Sequence, residues 1–277
     1  VVPDALSRPL RSGDGPAWMV EAVSLASSVT AGGAPMVAIV IDDIGPAVHY
    51  SRRAIALPGP LTMAVLPYAE EAATLARRAR AAGHELLVHM PMQPLSATID
   101  PGRNALMVGL TPAELLRRLA WGLDRMEGYV GINNHMGSRF TADAPGMALV
   151  MGELSKRGLM FLDSLTTGGS IGLASAHAAG VPGVLRDVFL DHVREPEAIR
   201  RALAQTEAVA RRQGHAIAIG HPYPETVAAL AEWLPEARAR GIAIVPLTAV
   251  LRASGATDRW VTSAAARPSA PPASLAP

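Results

Sequence analysis

The chain of 277 residues is 49% hydrophobic and 18% charged, has a net charge of +1 and contains no cysteine. Its length fits a single large α/β barrel, and its composition can fill a core. The near-neutral balance excludes a nucleic-acid surface. The lack of cysteine excludes disulfides, thiolate metal sites and a cysteine nucleophile, so any metal must be held by His, Asp or Glu, which suits zinc or a harder divalent ion.

Residues 1 to 35 mix Pro, Gly, Ser and Ala without a sustained period, which predicts an arm or linker in which Ala17–Ser28 can form one short helix. Because the chain begins at Val1, a signal peptide or membrane anchor is expected to have preceded it. The folded domain is expected over 36–253, and the Pro/Ala/Ser-rich residues 254–277 are expected to be a disordered tail.

Within the domain, apolar runs alternate with helical patterns. Met36–Ile41 is an unbroken apolar run, the signature of a strand buried on both faces, and it stops at Asp42 and Asp43 before Gly45-Pro46 turns the chain. A short helix is expected over Pro46–Leu57, a strand over Leu61–Leu66 and a helix over Tyr68–Ala82 closed by Gly83. Leu86–His89 is a third strand, followed by a long loop to Leu110. Thr111-Pro-Ala-Glu114 then opens a helix with capping-box spacing. Tyr129–Asn134 is a strand delivering His135, Ala144–Arg157 a helix, and Leu159–Leu162 a strand leading into Asp163. A single strand is expected over Val184–Leu190 with Asp191 at its end, then a helix over Glu195–Gln213. A strand over Ala216–Gly220 ends in His221, a helix covers Glu225–Arg240, and Ile242–Val245 is the last strand. About eight strands interleaved with helices predict a mostly parallel α/β fold, closed as a barrel or open. The chain has no P-loop and no Gly-rich dinucleotide turn after any strand, so no nucleotide cofactor is expected.

The chemistry gathers at one position of the repeating unit. Asp42, Asp43, His89, His135, Asp163, Asp191 and His221 all lie at or just past strand ends, and parallel strands would bring them to one rim. The other histidines make the contrast. His84 and His215 each follow a glycine at a strand start and should lie at the opposite face, whereas His49, His177 and His192 should face solvent. A single Asp before a Pro is also a common helix cap, and a lone His after a strand is commonly structural; the functional reading rests on the constellation. One Asp and two His around an ion, with positions left for water, is a common catalytic arrangement. It assigns Asp43, His89 and His135 to a metal, Asp42 to a general base and His221 to a general acid. Asn133, Asn134, Ser138 and Arg139 are candidates to orient substrate or steady an oxyanion, and Asp163, Asp191 and Tyr223, with Tyr68, are further rim candidates.

Several motifs occur in a recognisable order: Val40-Ile-Asp-Asp-Ile-Gly45, Leu66-Pro67, Gly83-His-Glu85, His89-Met-Pro-Met-Gln-Pro94, Asn133-Asn-His-Met-Gly-Ser138, Phe161-Leu-Asp-Ser164 and Gly220-His-Pro222. Over residues 36 to 252 the chain resembles the divergent polysaccharide deacetylases, distant relatives of the carbohydrate esterases that remove acetyl groups from glycans. The resemblance implies a distorted (β/α) barrel of about seven strands, a divalent metal (usually zinc), an acetylated glycan substrate, and a periplasmic or membrane-anchored protein of the cell envelope. It matches Asp42 to the base, Asp43 and His89 to metal ligands and His221 to the acid. Standard deacetylases place a second histidine four residues after the first; here that position is Gln93, so His135 would have to replace it. Two functions follow: a metal-dependent hydrolase of acetylated glycan, or a non-catalytic glycan-binding or envelope scaffold on the same barrel.

Overall fold

A computed structural model describes residues 33–254. The arm, its Ala17–Ser28 helix and the tail lie outside the described residues, apart from positions at their inner ends. Among the described residues there are nine strands: β1 (Met36–Ile44), β2 (Thr62–Val65), β3 (Glu85–Met92), β4 (Gly131–Met136), β5 (Met160–Asp163), β6 (Gly183–Leu185), β7 (Val188–Phe189), β8 (His215–Gly220) and β9 (Ala243–Ile244). Between and after them run the helices α1 (Val48–Ile55), α2 (Ala72–Ala81), α3 (Pro112–Leu123), α4 (Ala144–Arg157), α5 (Gly172–Ala178), α6 (Pro196–Gln213), α7 (Pro224–Ala239) and α8 (Leu247–Ala253).

All strand pairs are parallel, in the order β6-β5-β4-β3-β2-β1-β8-β7, with β9 beside the start of β1. This is the distorted (β/α) barrel that the family resemblance implies, and its parallel strands are those expected from the alternation of apolar runs and helical patterns. The apolar run 184–190 predicts one strand; it is instead two, broken at Arg186-Asp187. Gly183–Leu185 pairs with β5 at one edge of the sheet and Val188–Phe189 pairs with β8 at the other. One short stretch of chain therefore joins the two edges. The break has a local cause: Arg186 N–H still bonds to Asp163 O, while Asp187 N–H has already switched to Ile217 O, and the Asp187 carboxylate accepts from Ile217 N–H.

Helix ends follow the local signals. Thr111 Oγ1 caps α3 at Glu114 N–H, Asp143 caps α4 at Gly146 N–H, and Gly158 and Gly214 close α4 and α6 in the left-handed conformation. Two helices go beyond the sequence expectation. α5 lies in the Gly/Ser-rich stretch that reads as loop. α8 follows Pro246, which reads as the end of a strand but is the residue before the first helical turn. Five consecutive residues of α8, Leu247–Leu251, are buried, so its sequence lacks the apolar stripe that marks a surface helix.

The core has two layers. Outward strand residues pack under the surrounding helices, and inward ones (Ala38, Val40, Leu87, Leu162, Ile217, Ile219) pack against α8, which plugs the barrel at the strand N-termini. The plug is pinned by Glu85 at the foot of β3. Its carboxylate accepts from the Thr248 hydroxyl and N–H and from the Thr62 hydroxyl, and Thr62 Oγ1 accepts Leu247 N–H. His84, beside it, is buried. It accepts from Leu61 N–H at Nδ1 and donates from Nε2 to Ile55 O, a neutral tautomer whose pKa burial pushes down. His84 and His215 thus mark the stability end, and His49, His177 and His192 are exposed, as expected.

Burial pushes the Glu85 carboxyl up to about 7 against the pull of its hydrogen bonds. The folded chain then holds this proton more tightly than the unfolded chain, whose pKa is near 4.5. Stability contributed by Glu85 is therefore present below about pH 4.5 and lost as pH rises to about 7. Urea unfolding at pH 5 and pH 8 should show Glu85→Gln reducing the wild-type loss between those values by about 2 kcal/mol, an order-of-magnitude figure. An unchanged loss would show that Glu85 does not carry it.

Candidate metal centre at the barrel mouth

Strand alternation builds the site. Along β1, Met36, Ala38 and Val40 point into the barrel, and the next residue of that parity is Asp42; along β3 the series Glu85, Leu87 ends in His89; along β8 Ile217 and Ile219 lead to His221. The register sets His89 beside Asn133, with Pro91 beside His135, and pairs Ile41 with Gly220, so that Asp42 and His221 follow on adjacent strands. Apart from Glu85 at the foot of β3, these inward columns are apolar until they reach the mouth, where they become polar.

Asp43 has the wrong parity for the interior, and a backbone irregularity brings it in. β1 continues past the expected end at Ile41 to Ile44, but its register with β2 slips between Ile41 and Ile44, and Asp43 takes φ 55°. This is how two adjacent carboxylates share one mouth. Met136 (φ 53°) and Leu165 (φ 49°) are also left-handed next to the site. Both are fixed through their carbonyls: Met136 O accepts from Asn134 Nδ2 and Thr166 Oγ1, and Leu165 O accepts from Arg186 Nη2.

Asp43 Oδ1 lies 2.9 Å from His135 Nδ1 and 3.3 Å from His89 Nε2, and those two nitrogens are 3.2 Å apart. Among the described residues this is the group of three whose ligand atoms are placed to share an ion. A tetrahedral ion bound at about 2.0–2.1 Å separates its ligand atoms by about 3.3 Å, so the spacing fits. The proton arrangement fits as well. His89 donates from Nδ1 to Asn133 Oδ1 (2.9 Å), which leaves the Nε2 lone pair facing Asp43 and His135. Asp43 Oδ1 is buried and, close as the two rings are, finds no hydrogen-bond partner among the described residues. Burial alone would raise the Asp43 pKa, but a proton carried on the inward nitrogen of the His135 or His89 ring, the positive charge that a cation would replace, outweighs it and holds the carboxyl far below the usual range.

Asp42 sits beside this trio. It is 3% exposed; its Oδ1 accepts from Asn133 Nδ2 (2.8 Å) and its Oδ2 lies 3.7 Å from His89 Nε2. Burial pushes its pKa up, with His89, His221 and the Asn133 hydrogen bond opposing. His221 faces the trio from the other side, Nε2 3.9 Å from Asp43 Oδ2. Asp191 grips His221 twice, at Nδ1 (2.9 Å) and at the backbone N–H (2.6 Å), and Thr226 Oγ1 completes the carboxylate's bonding. Burial opposes protonation of His221, but Asp191, Asp42 and Asp43 prevail and lift its pKa to about 9.

Several residues expected to touch substrate have other tasks. Asn133 and Asn134 are fully buried: Asn133 links His89, Asp42 and Ser164 Oγ, and Asn134 holds Ser164 N–H and Met136 O. Asp163 is buried and shapes its own turn through Leu165 N–H and Ser170 Oγ. Asp191 serves His221, and Ser138 Oγ accepts Leu95 N–H. Arg139 and Tyr223 remain at the rim, Tyr223 stacked on His221 at 5.3 Å with the Arg194 guanidinium 3.7 Å from its ring centre. Ser164 closes the Phe161-Leu-Asp-Ser164 motif but carries no expected role, and the sequence pattern gives no sign of Thr226 or Arg186 as parts of the site. Arg186 holds Ser164 O and Leu165 O and lies over Phe189. Tyr68, packed edge-on to His135, has its pKa pushed up to about 12 by burial and by Asp43 and Asp100. Gln93 is a loop staple: its Oε1 accepts Val108 N–H and its carbonyl accepts from Arg139 and Phe140.

The profile of the family described as divergent polysaccharide deacetylase matches residues 39–251. The chain belongs to this family. A relative in Escherichia coli, the uncharacterized protein YibQ, is 39% identical over 208 residues, which is 75% of this chain and 64% of that protein, so the chain spans just under two thirds of that relative's length. An uncharacterized protein of Agrobacterium tumefaciens, known as a crystal structure, superposes with a TM-score of 0.76 at 32% identity, covering 78% of this chain and 89% of that one. The structure described as T48 deacetylase with substrate has a TM-score of 0.52 at 15% identity, covering 81% and 93%, and shows a shared fold. For a member of this family with this donor set, a divalent cation is the expected cofactor.

The trio predicts the outcome of metal analysis. After zinc loading and desalting, wild-type protein should retain about one equivalent and His135→Ala should retain little. Asn133→Ala, which frees His89 Nδ1, should weaken binding by about 10–100-fold. Equal retention by wild type and His135→Ala would exclude His135 as a ligand.

Proposed function

We propose that this chain is a metal-dependent hydrolase that removes acetyl groups from a glycan of the cell envelope. The observation that carries the reading is the division of labour between two adjacent carboxylates. Asp43 is committed to the histidine pair, while Asp42 stands next to it with Oδ2 unclaimed by a strong hydrogen bond, and His221 lies across the same opening. A site that only held an ion would need neither Asp42 nor the Asp191–His221 pair.

Asp43 Oδ1, His89 Nε2 and His135 Nδ1 would hold the cation, zinc by the nature of the donors, and bound there it supplies a Lewis acid that polarises the acetyl carbonyl and acidifies water. The chain's own groups move the protons. Asp42, raised by burial, accepts the proton of the attacking water. Asn133 holds the Asp42 carboxylate in place from behind. His221, kept protonated by Asp191, donates from Nε2 to the departing nitrogen or oxygen as its bond to the acetyl carbon breaks. The water oxygen ends in acetate and the sugar leaves with its amine or hydroxyl restored. Tyr223 and Arg139 at the rim are the groups placed to meet the sugar. Few aromatic side chains surround the mouth, which favours a short oligosaccharide over a long stacked chain.

A periplasmic or membrane-anchored location is part of the proposal and rests on the family's usual place in the envelope. No helix among the described residues is long and apolar enough to cross a membrane. A second reading, a non-catalytic glycan-binding or scaffold barrel, is favoured by one observation: Gln93 occupies the position of the usual second histidine and works as a loop staple.

Acetate release from acetylated oligosaccharides, followed beside metal content, separates the two. Asp42→Asn should lower kcat by at least about 100-fold while metal is retained. Asp191→Asn should also slow release, with metal retained, because His221 loses its orienting partner. Zinc-loaded wild type that releases no acetate from a panel of acetylated glycans but still binds them would establish the scaffold reading.

A further inference from the structure

His221 sits in the middle of a row of flat groups along one side of the mouth. Its ring centre lies 5.6 Å from that of Phe189 and 5.3 Å from that of Tyr223. Each of those rings carries a guanidinium, Arg186 at 4.9 Å from the Phe189 centre and Arg194 at 3.7 Å from the Tyr223 centre. Two arginines are thus held beside the group that faces the metal trio, by contacts that suit a cation on an aromatic ring.

Arg186 is the more telling of the two. It stands half-buried at the break between β6 and β7, with Nε donating to Ser164 O and Nη2 to Leu165 O. Its other N–H groups meet no acceptor among the described residues, and no carboxylate there lies at ion-pair distance. The acids that act on it from farther off are engaged elsewhere: Asp42 by Asn133, Asp163 by Leu165 N–H and Ser170 Oγ, and Asp187 by Ile217 N–H. Asp43 is committed to the histidine pair and Asp191 to His221. Stapling two carbonyls does not need a charge, since a neutral amide donates as well. A half-buried guanidinium without a contact partner is costly, and its open edge matches the forked oxygens of a carboxylate or phosphate. Arg194 is exposed and only loosely engaged, 3.8 Å from Glu225 Oε2.

We propose that the wall formed by Arg186, Phe189, His221, Tyr223 and Arg194 is a subsite for an anionic group on the sugar, a carboxylate or a phosphate, which makes the substrate an acidic glycan. The proposal rests on the hydrolase reading for its orientation: His221 protonates the departing sugar, so the groups beside His221 face the sugar and not the acetyl carbon. Arg186 takes the oxyanion on its open edge, and Arg194 adds positive field at the rim.

Equilibrium binding of three sugars to the full 277-residue chain, at low salt with and without added zinc, tests this. The probes are N-acetylglucosamine, N-acetylglucosaminuronic acid and N-acetylglucosamine 6-phosphate. At least one charged sugar should bind at least about ten-fold more tightly than the neutral one, and the tighter of the two identifies the anion. Arg186→Gln should cut that preference to below about three-fold, Arg186→Lys should keep part of it, and Arg194→Gln should reduce it by a smaller factor. If Arg186→Gln does not fold, Arg186→Lys and Arg194→Gln decide. Charged sugars that bind wild type no better than the neutral one would overturn the proposal, as would a preference that survives the substitutions at both arginines. Acetate release is read separately. A preference without acetate release keeps the subsite and removes the hydrolase reading; acetate release without a preference does the reverse.

Discussion

Three acceptor atoms, Asp43 Oδ1, His89 Nε2 and His135 Nδ1, meet within 3.3 Å of one another at the open end of the barrel. Such atoms repel unless positive charge sits among them, and in a buried pocket water cannot screen the repulsion. A shared proton can relieve one pair; a cation relieves all three. The surrounding hydrogen bonds favour the cation, because Asn133 ties up the one His89 proton on the far side of the ring and so points a bare nitrogen inward. Asn133 then spends its amide on Asp42 and Ser164. One buried side chain thus fixes the tautomer of a ligand and the position of the neighbouring carboxylate together.

The rest of the molecule makes that convergence sustainable. Strained backbone at Asp43, Met136 and Leu165 surrounds the site, and side-chain hydrogen bonds to the Met136 and Leu165 carbonyls offset its cost. At the other end, α8 fills the barrel and Glu85 pins it. The two ends carry opposite burdens: the foot is closed and satisfied, and the mouth keeps an unsatisfied oxygen. Sheet closure contributes as well. Because the segment from Gly183 to Phe189 pairs with both edges, Asp191, which orients His221, is held by the same strands that carry Asp163 and His221.

Gln93 shows how the family pattern can shift without losing the site. The position that would carry a histidine holds the loop after β3 to Val108 and to the turn at Arg139 and Phe140. The second imidazole of the candidate set comes instead from β4, one strand over, where the register sets His135 beside Pro91, two residues beyond His89. The donor set keeps its chemistry, one carboxylate and two imidazoles, while the chain supplying it changes.

Much of this was legible in the sequence. Unbroken apolar runs ending in acids and histidines determine parallel strands with chemistry at their C-terminal ends, because a strand covered on both faces has no polar alternation and its polar residues can only gather where it emerges. That placed Asp42, Asp43, His89, His135 and His221 at one rim. The same absence of alternation hid which parity faces inward, so Asn133, Asn134, Asp163 and Asp191 looked like groups awaiting a substrate, and only the packed structure made them supports. It also hid α8, whose run of buried residues leaves no helical stripe, and the division of 184–190, since the edge a strand joins is set by its neighbours. The inward turn of Asp43 was decided by tertiary structure alone: it needs a register slip against β2, and pairing between strands distant in sequence is not written in the residues of either one.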